Sequence, residues 1–230
     1  RSAVLYVLRA WVGDHLPLNE GLLDDVHIKT PEGILSPVFP EDPSACPAVV
    51  GGNVETSQRI VDVLLDALDL QANSQGTMNN FLFGNAAFAY YETIGGGSGA
   101  GPGWSGLSGT HVHMSNTAIT DPEILERRFP VRLLSFSLRE DSGGRGRWSG
   151  GCGLEREFEF LEGMTVSMLT QRRKKAPRGK KGGAAGLPGR QALLRRDGSY
   201  EELPEICSFT VEAGERVRIL TPGGGGWGEP

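Results

Sequence analysis

Leu154-Glu155-Arg156-Glu157-Phe158-Glu159-Phe160-Leu161 sets Phe158 and Phe160 in alternation with charges, the two-residue period of a strand with one face in a core. Upstream, Val131, Leu133, Phe136 and Leu138 mark a strand whose period slips once in the middle; downstream, Met164 to Leu169 marks a third. Further on, Gln191 to Arg196, the Asp197-Gly198 turn and Ser199 to Leu203 carry a hairpin signal. Ser208 to Val211, the Ala213-Gly214 turn and Arg216 to Leu220 follow it. Short strands separated by turns predict a β-rich half from residue 131 to 230, closed as a small barrel or sandwich.

Residues 1–130 read differently. Val4, Leu5, Leu8, Trp11 and Val12 fall at helical spacing between Ser2 and Val12, with Gly13 placed to end the helix. Six prolines between residues 14 and 47 prevent long helices there, and Val26-His27-Ile28-Lys29 alternates like a short strand. His15 and His27 lie in this part without ligand-spaced company and read as ordinary histidines. A second amphipathic helix follows, with Ile60, Val63, Leu64, Ala67 and Leu68 on one face and Thr56 or Ser57 as its cap; its N-terminus is either an anion site or simply capped. Phe81-Leu82-Phe83 and Phe88 to Ile94 read as strands, and Asp121-Pro122 starts a third, short helix. The fold class is therefore α+β: a mixed first half with a few helices and glycine-rich loops, packed on a β-rich second half.

At 230 residues with 38% hydrophobic content, the chain can bury a real core. Its 34 glycines and 14 prolines call for many turns. A net charge of −5 predicts no nucleic-acid partner and no anionic membrane surface, although seven cations crowd between Arg172 and Lys181. That run reads as an anion or intersubunit contact, or as a solvated loop. Cys46, Cys152 and Cys207 are odd in number and far apart, which points to a reducing cytoplasm. No apolar run approaches the length of a membrane helix. The chain opens at Arg1, directly in a helical pattern, and so reads as a piece of something longer.

Polar chemistry concentrates between Tyr90 and Asp121. Glu92, eight glycines from Gly95 to Gly109, His111, His113 and Asn116 fall there with little apolar residue to explain them as core. Each glycine costs ordering entropy, so such a run predicts a return, namely backbone N–H groups shaped around a ligand. Gly101-Pro102-Gly103-Trp104-Ser105-Gly106 has the dinucleotide-loop spacing without the helix that spacing requires, and the chain has no phosphate-loop motif. His111 and His113 on one strand would lie about 6–7 Å apart on one face, near enough to share a divalent metal if a third ligand folds in. Proton transfer by one of them is the competing role. Gln75, Asn79 and Asn80 form either a structural polar network or a substrate-positioning set.

Six runs in order carry a family resemblance: Gly-Gly-Asn-Val-Glu-Thr-Ser-Gln-Arg (51–59), Ser-Gln-Gly-Thr-Met-Asn-Asn (74–80), Tyr-Tyr-Glu-Thr-Ile-Gly-Gly-Gly (90–97), Thr-His-Val-His-Met-Ser-Asn-Thr (110–117), Thr-Asp-Pro-Glu-Ile-Leu-Glu-Arg-Arg (120–128) and Thr-Pro-Gly-Gly-Gly-Gly-Trp-Gly (221–228). The chain resembles the C-terminal part of the hydantoinase B / 5-oxoprolinase family. The resemblance implies a component of an ATP-dependent cyclic-amide hydrolase, opening 5-oxo-L-proline to L-glutamate or opening a hydantoin, with a lactam as substrate. It further implies a hydantoinase A-like ATP-binding subunit or domain as partner, which holds ATP and Mg2+ outside this chain, and an oligomer.

On that resemblance, His111, His113 and Glu92 are the expected catalytic residues, for proton transfer and its orientation. Asn116, Gln75 and Asn79 are the expected donors to substrate, and the N–H groups of Gly96, Gly97 and Gly99 the expected anion cradle. An acetone-carboxylase-like α subunit and a non-catalytic assembly module are the competing readings. Cys152 stands where the family usually carries Asp, and the family's acid- and histidine-rich upstream segment lies outside this chain.

Overall fold

The computed structural model describes residues 1–13, 17, 19–47 and 51–230; His15 lies outside them. In chain order the strands are β1 (Asn80–Gly84), β2 (Ala89–Glu92), β3 (Val131–Arg139), β4 (Gly153–Phe160), β5 (Met164–Leu169), β6 (Arg190–Leu194), β7 (Tyr200–Glu202), β8 (Ile206–Val211) and β9 (Arg216–Leu220). The α-helices are α1 (Ser2–Val12), α2 (Ser57–Ala67) and α3 (Pro122–Arg128).

The strand around Phe158 lies in a five-stranded antiparallel sheet of order β3-β4-β9-β6-β7. The slip read between Leu133 and Phe136 is a shift of register between Leu133 and Ser135, where β3 bulges against β4. A second antiparallel sheet has the order β2-β1-β5-β8. The two sheets share one core, in which the rings of Phe81 and Phe158 stand 4.8 Å apart beside Phe83, Phe160, Val166 and Ile219. This is a sandwich, and removing a buried aromatic such as Phe158 would cost about 3–5 kcal/mol. The second sheet takes two strands from before residue 130 and two from after it, so packing crosses the division expected there.

Two expectations for the first half change. Residues 26–29 belong to no strand. Helix α2 is rotated from its expected setting: Val63 is 65% exposed, while Gln58, Val61, Asp62 and Leu65 face inward and Val61 and Leu65 pack on Ala3 and Val7 of α1. A π-turn over Gly52–Thr56 leads into α2, whose Thr56 makes no side-chain cap, and the Glu55 and Thr56 N–H groups bond Gly51 O. Those two N–H groups are therefore bonded within the turn itself. At α3, Asp121 does accept from the N–H groups of Glu123 and Ile124.

The glycines build a second kind of core. Four segments, near residues 95–101, 142–153, 178–187 and 221–228, run side by side and hydrogen-bond backbone to backbone. Gly97 N–H donates to Pro222 O (2.9 Å), Ala100 N–H to Gly225 O (2.9 Å), Gly224 N–H to Gly151 O (2.9 Å) and Gly226 N–H to Ala184 O (2.9 Å). A Cβ on Gly97 would lie 2.0 Å from Gly151 O, and one on Gly224 1.9 Å from Ser98 O. Glycine is present because neighbouring backbones occupy the space a side chain would need. The return on ordering these residues is mutual pairing of buried backbone groups.

Candidate functional site

Leaving the glycine core, the chain turns at Thr110 and crosses α2. Met114 N–H donates to Gln58 Oε1 (3.0 Å), and the neighbouring His113 places Nε2 2.9 Å from Asp62 Oδ1. Asp62 also accepts from Ser74 N–H (3.0 Å) and, at Oδ2, from Arg172 Nη2 (2.7 Å). The side chains of His113 and Asp62 are each 3% exposed. Burial pushes the Asp62 carboxyl upward, but the His113 bond and charge, the Arg172 guanidinium and the Ser74 N–H outweigh it and hold the group below its ordinary range. His113 (φ 56°) and Arg172 (φ 61°) both adopt left-handed backbone, a conformation that surrounding contacts must impose.

His111 is fastened differently. Its Nε2 lies 3.1 Å from Thr117 Oγ1, which in turn pairs with Thr93 Oγ1 at 2.6 Å, while its Nδ1 is buried without a partner. Burial lowers the His111 pKa, and the charge of Glu92 opposes that shift. His111 is therefore a neutral imidazole at neutral pH.

A cavity of about 450 Å³ brings His111 and His113 together with Ser74, Ser98, Trp104 and Thr110, and Tyr6 of α1. The remaining expected residues stand elsewhere. Glu92 is buried and paired with the fully buried Arg156, and it accepts from Thr120 N–H (2.9 Å). Arg156 lies on the inward face of β4, stacked on Phe136 and Phe158. Gln75 and Asn79 are fully buried and form a network: Asn79 Nδ2 donates to Gln75 Oε1 (2.7 Å) and Ile94 O (3.0 Å), and Arg173 Nη1 to Asn79 Oδ1 (2.7 Å). Asn116 is exposed. Gly96 N–H donates to Thr110 O (3.0 Å), Gly97 N–H to Pro222 O and Gly99 N–H to Ser74 Oγ (3.0 Å), so the glycine N–H groups expected to cradle an anion are taken by the protein itself.

The sequence reading did not single out Asp62, which lies outside the apolar face it assigned to α2, nor did it pair Arg172 with that carboxylate. A signal existed: Asp62, Asp66 and Asp69 recur at spacings of four and three, one face of a helix, and meet the basic run 172–181. Arg178 and Lys180 pair with Asp66 (3.0 and 2.8 Å), and Lys181 with Asp69 (2.7 Å). Glu55 was also missed; burial carries its pKa to about 7 despite bonds from Thr77 and the backbone, and its Oε2 has no partner.

Among the described residues no three of His, Cys, Asp or Glu gather closely enough to hold a metal. His113 Nε2 faces Asp62 and His111 Nε2 faces Thr117, so a divalent metal shared by the two would rest on their Nδ1 atoms alone, without the third ligand that reading required among the described residues.

The fold has a close counterpart in the crystal structure of the ATP-dependent caprolactamase from Pseudomonas jessenii, at a TM-score of 0.78 and 25% identity, covering 100% of this chain and 42% of that one. In sequence, the chain is 52% identical to 5-oxoprolinase 1 of Arabidopsis thaliana and 47% identical to 5-oxoprolinase of Dictyostelium discoideum, each across 99% of its own length. It spans 18% of the length of each of these relatives. The family model described as hydantoinase B/oxoprolinase matches residues 1–230, and the chain belongs to that family.

Proposed function

We propose that this chain is part of an ATP-dependent cyclic-amide hydrolase that opens 5-oxo-L-proline to L-glutamate, and that the cavity at His111 and His113 lies at its reacting centre. The observation that carries the reading is the 52% identity, across 99% of the chain, to a protein named 5-oxoprolinase 1. Geometry supports it: two imidazoles line a cavity of about 450 Å³, one of them fastened to a buried carboxylate.

With Nε2–H donating to Asp62, the lone pair of His113 sits on Nδ1, the atom that removes a proton from the attacking water. Asp62 fixes that tautomer and stabilises the imidazolium that follows, because its own low pKa keeps it ionised. The proton taken by His113 is then passed to the departing ring nitrogen, and neutral His111 is the second imidazole, able to accept and relay that proton. Glu92 acts on His111 through charge from its pairing with Arg156. Gln75 and Asn79 serve by holding the Gly96 turn, and Asn116, exposed on the same segment, is the remaining amide for substrate. ATP with Mg2+, held by a hydantoinase A-like region outside this chain, would supply the phosphoryl group that activates the amide oxygen. A cytoplasmic location and an oligomer belong to the same proposal.

The test is ATP turnover by the full-length protein with 5-oxo-L-proline, N-methylhydantoin and acetone offered separately. We expect 5-oxo-L-proline alone to stimulate turnover with glutamate released in step, and His113→Gln to abolish glutamate release while assembly stays intact. Stimulation by N-methylhydantoin or acetone in its place, or full glutamate release by His113→Gln, would overturn the assignment.

A further inference from the structure

On the opposite side of Asp62 from His113 lies a second cavity, of about 540 Å³, lined by four cations (Arg59, Arg172, Lys175 and Arg178) against two carboxylates, Asp62 and Asp66. Both carboxylates are already engaged, Asp62 by Arg172 at 2.7 Å and Asp66 by Arg178 at 3.0 Å and Lys180 at 2.8 Å. Arg59 Nη1 stands 4.0 Å from Asp62 Oδ2, beyond hydrogen-bond reach, and Lys175 pairs with no carboxylate among the described residues. Two guanidinium nitrogens, Arg59 Nη1 and Arg172 Nε, are buried with no acceptor. Both flank Asp62 Oδ2 beside Gly76: a Cβ built on Gly76 would lie 2.6 Å from that carboxylate oxygen, 3.0 Å from the first nitrogen and 3.5 Å from the second. Arg172 as a whole is 8% exposed, so its orphaned donor cannot turn to water without leaving Asp62.

Buried donors without acceptors, in a cavity with an excess of two positive charges, lack an anion. We propose that this cavity binds a phosphate-class oxyanion, with Arg59 and Arg172 donating to its oxygens and Lys175 closing over it. Two guanidinium edges and an ammonium suit a tetrahedral dianion, which offers acceptors in several directions and matches the excess charge. The shared chemistry is a phosphoryl group, free or carried by a small organic phosphate, and the cavity has room for either. Because Arg172 grips Asp62 and Asp62 grips His113, an occupant here also stiffens the support of the imidazole. The site stands on its own donors and does not depend on the lactam reading.

The experiment is calorimetric titration of inorganic phosphate, and separately of glycerol 3-phosphate, into the full-length protein and its Arg59→Gln, Lys175→Gln and Lys174→Gln variants, each checked for unchanged melting temperature. Other phosphate sites in the longer protein respond equally in all four. We expect Arg59→Gln to weaken one equivalent of binding per chain by about tenfold or more and Lys175→Gln to weaken it severalfold. Lys174→Gln, adjacent in sequence but outside the cavity, should bind as wild type does. Tighter binding of inorganic phosphate assigns the free ion, and tighter binding of the ester a phosphorylated metabolite. Absence of phosphate and ester binding in the wild type, binding unchanged in Lys175→Gln, or an equal loss in Lys174→Gln would overturn the proposal.

Discussion

Gly97→Ala isolates the backbone-on-backbone packing of the glycine core. The added Cβ would stand 2.0 Å from Gly151 O, 2.3 Å from Gly224 N and 2.7 Å from Gly223 C. Carbon and oxygen normally approach to about 3.3–3.6 Å, so two segments have to part by more than about 1 Å. Neither neighbour is a flexible side chain. Both belong to backbone that is itself bonded, through Gly97 N–H to Pro222 O and Gly224 N–H to Gly151 O. Overpacking costs about 1–3 kcal/mol and each buried backbone group left unpaired about 1–3 kcal/mol more, against about 0.4–1 kcal/mol recovered from a stiffer unfolded chain. With both bonds lost the net is about 2–8 kcal/mol, a large share of a domain's usual 5–15 kcal/mol or so. Gly52→Ala is the comparison, since no atom among the described residues lies within 4 Å of a Cβ there and the change should be neutral within about 0.5 kcal/mol. Hydrogen exchange of peptides covering 95–101 and 221–228 in the full-length protein reads both. Equal protection in Gly97→Ala and Gly52→Ala would refute the close-approach account.

Other perturbations follow from the same contacts. Asp62→Asn leaves Arg172 buried without its counter-charge and should cost about 3–5 kcal/mol in denaturation, whereas Asp66→Asn, on the partly exposed side, should cost under about 1 kcal/mol. Glu92→Gln should cost about 3–5 kcal/mol by stranding Arg156, and the double change Glu92→Gln with Arg156→Met should recover most of it, as a double-mutant cycle would read. Glu55 has a folded pKa of about 7 against 4.5 in the unfolded chain, so its contribution is intact below pH 4.5 and is lost as pH rises toward 7. Glu55→Gln removes that titration and should be favoured over wild type above pH 7 by at most about 3 kcal/mol, with no advantage below pH 4.5 in melting curves. Burial depresses the His111 pKa, so an acid limb in kcat/KM that belongs to it should lie below its ordinary 6.5 and vanish in His111→Asn.

Periodicity made the β-rich half readable. Phe158 and Phe160 announce a strand because each inward position is filled by a side chain, and even the bulge at Leu133–Ser135 appears as a slip in the pattern. Pairing across the sandwich was not readable: β1 and β5 are neighbours over some eighty residues, and nothing local in either names the other. The same holds for the site. His111 and His113 stand out by composition and do share a cavity, but Asp62 hides in an amphipathic helix whose pattern points it toward water. Its true setting depends on Arg172, 110 residues later. The glycines misled for a related reason. A run such as Gly95–Gly109 has the same appearance whether its N–H groups await a ligand or meet a second run at residues 221–228, and only the tertiary partner decides.

The basic run shows how the glycine core reaches the chemistry. Of its seven cations, Arg172, Arg178 and Lys180 pair with Asp62 and Asp66 of α2 and Lys181 with Asp69 just past its end, yet the three outer ones are surface pairs, worth about 0–1 kcal/mol each and weakened by salt. Such pairs cannot be what holds Arg172 against Asp62. The run is instead threaded into the glycine core by backbone bonds that salt does not screen: Asn73 N–H to Arg178 O (3.0 Å), Lys180 N–H to Gly226 O (2.9 Å) and Gly189 N–H to Arg172 O (2.9 Å). Those bonds fix the left-handed turn at Arg172, the turn aims its guanidinium at Asp62, and Asp62 in turn sets the ring of His113. Glycines that touch no substrate thereby determine where an imidazole stands, and raising ionic strength should loosen the three outer pairs while leaving the Asp62–Arg172 contact in place.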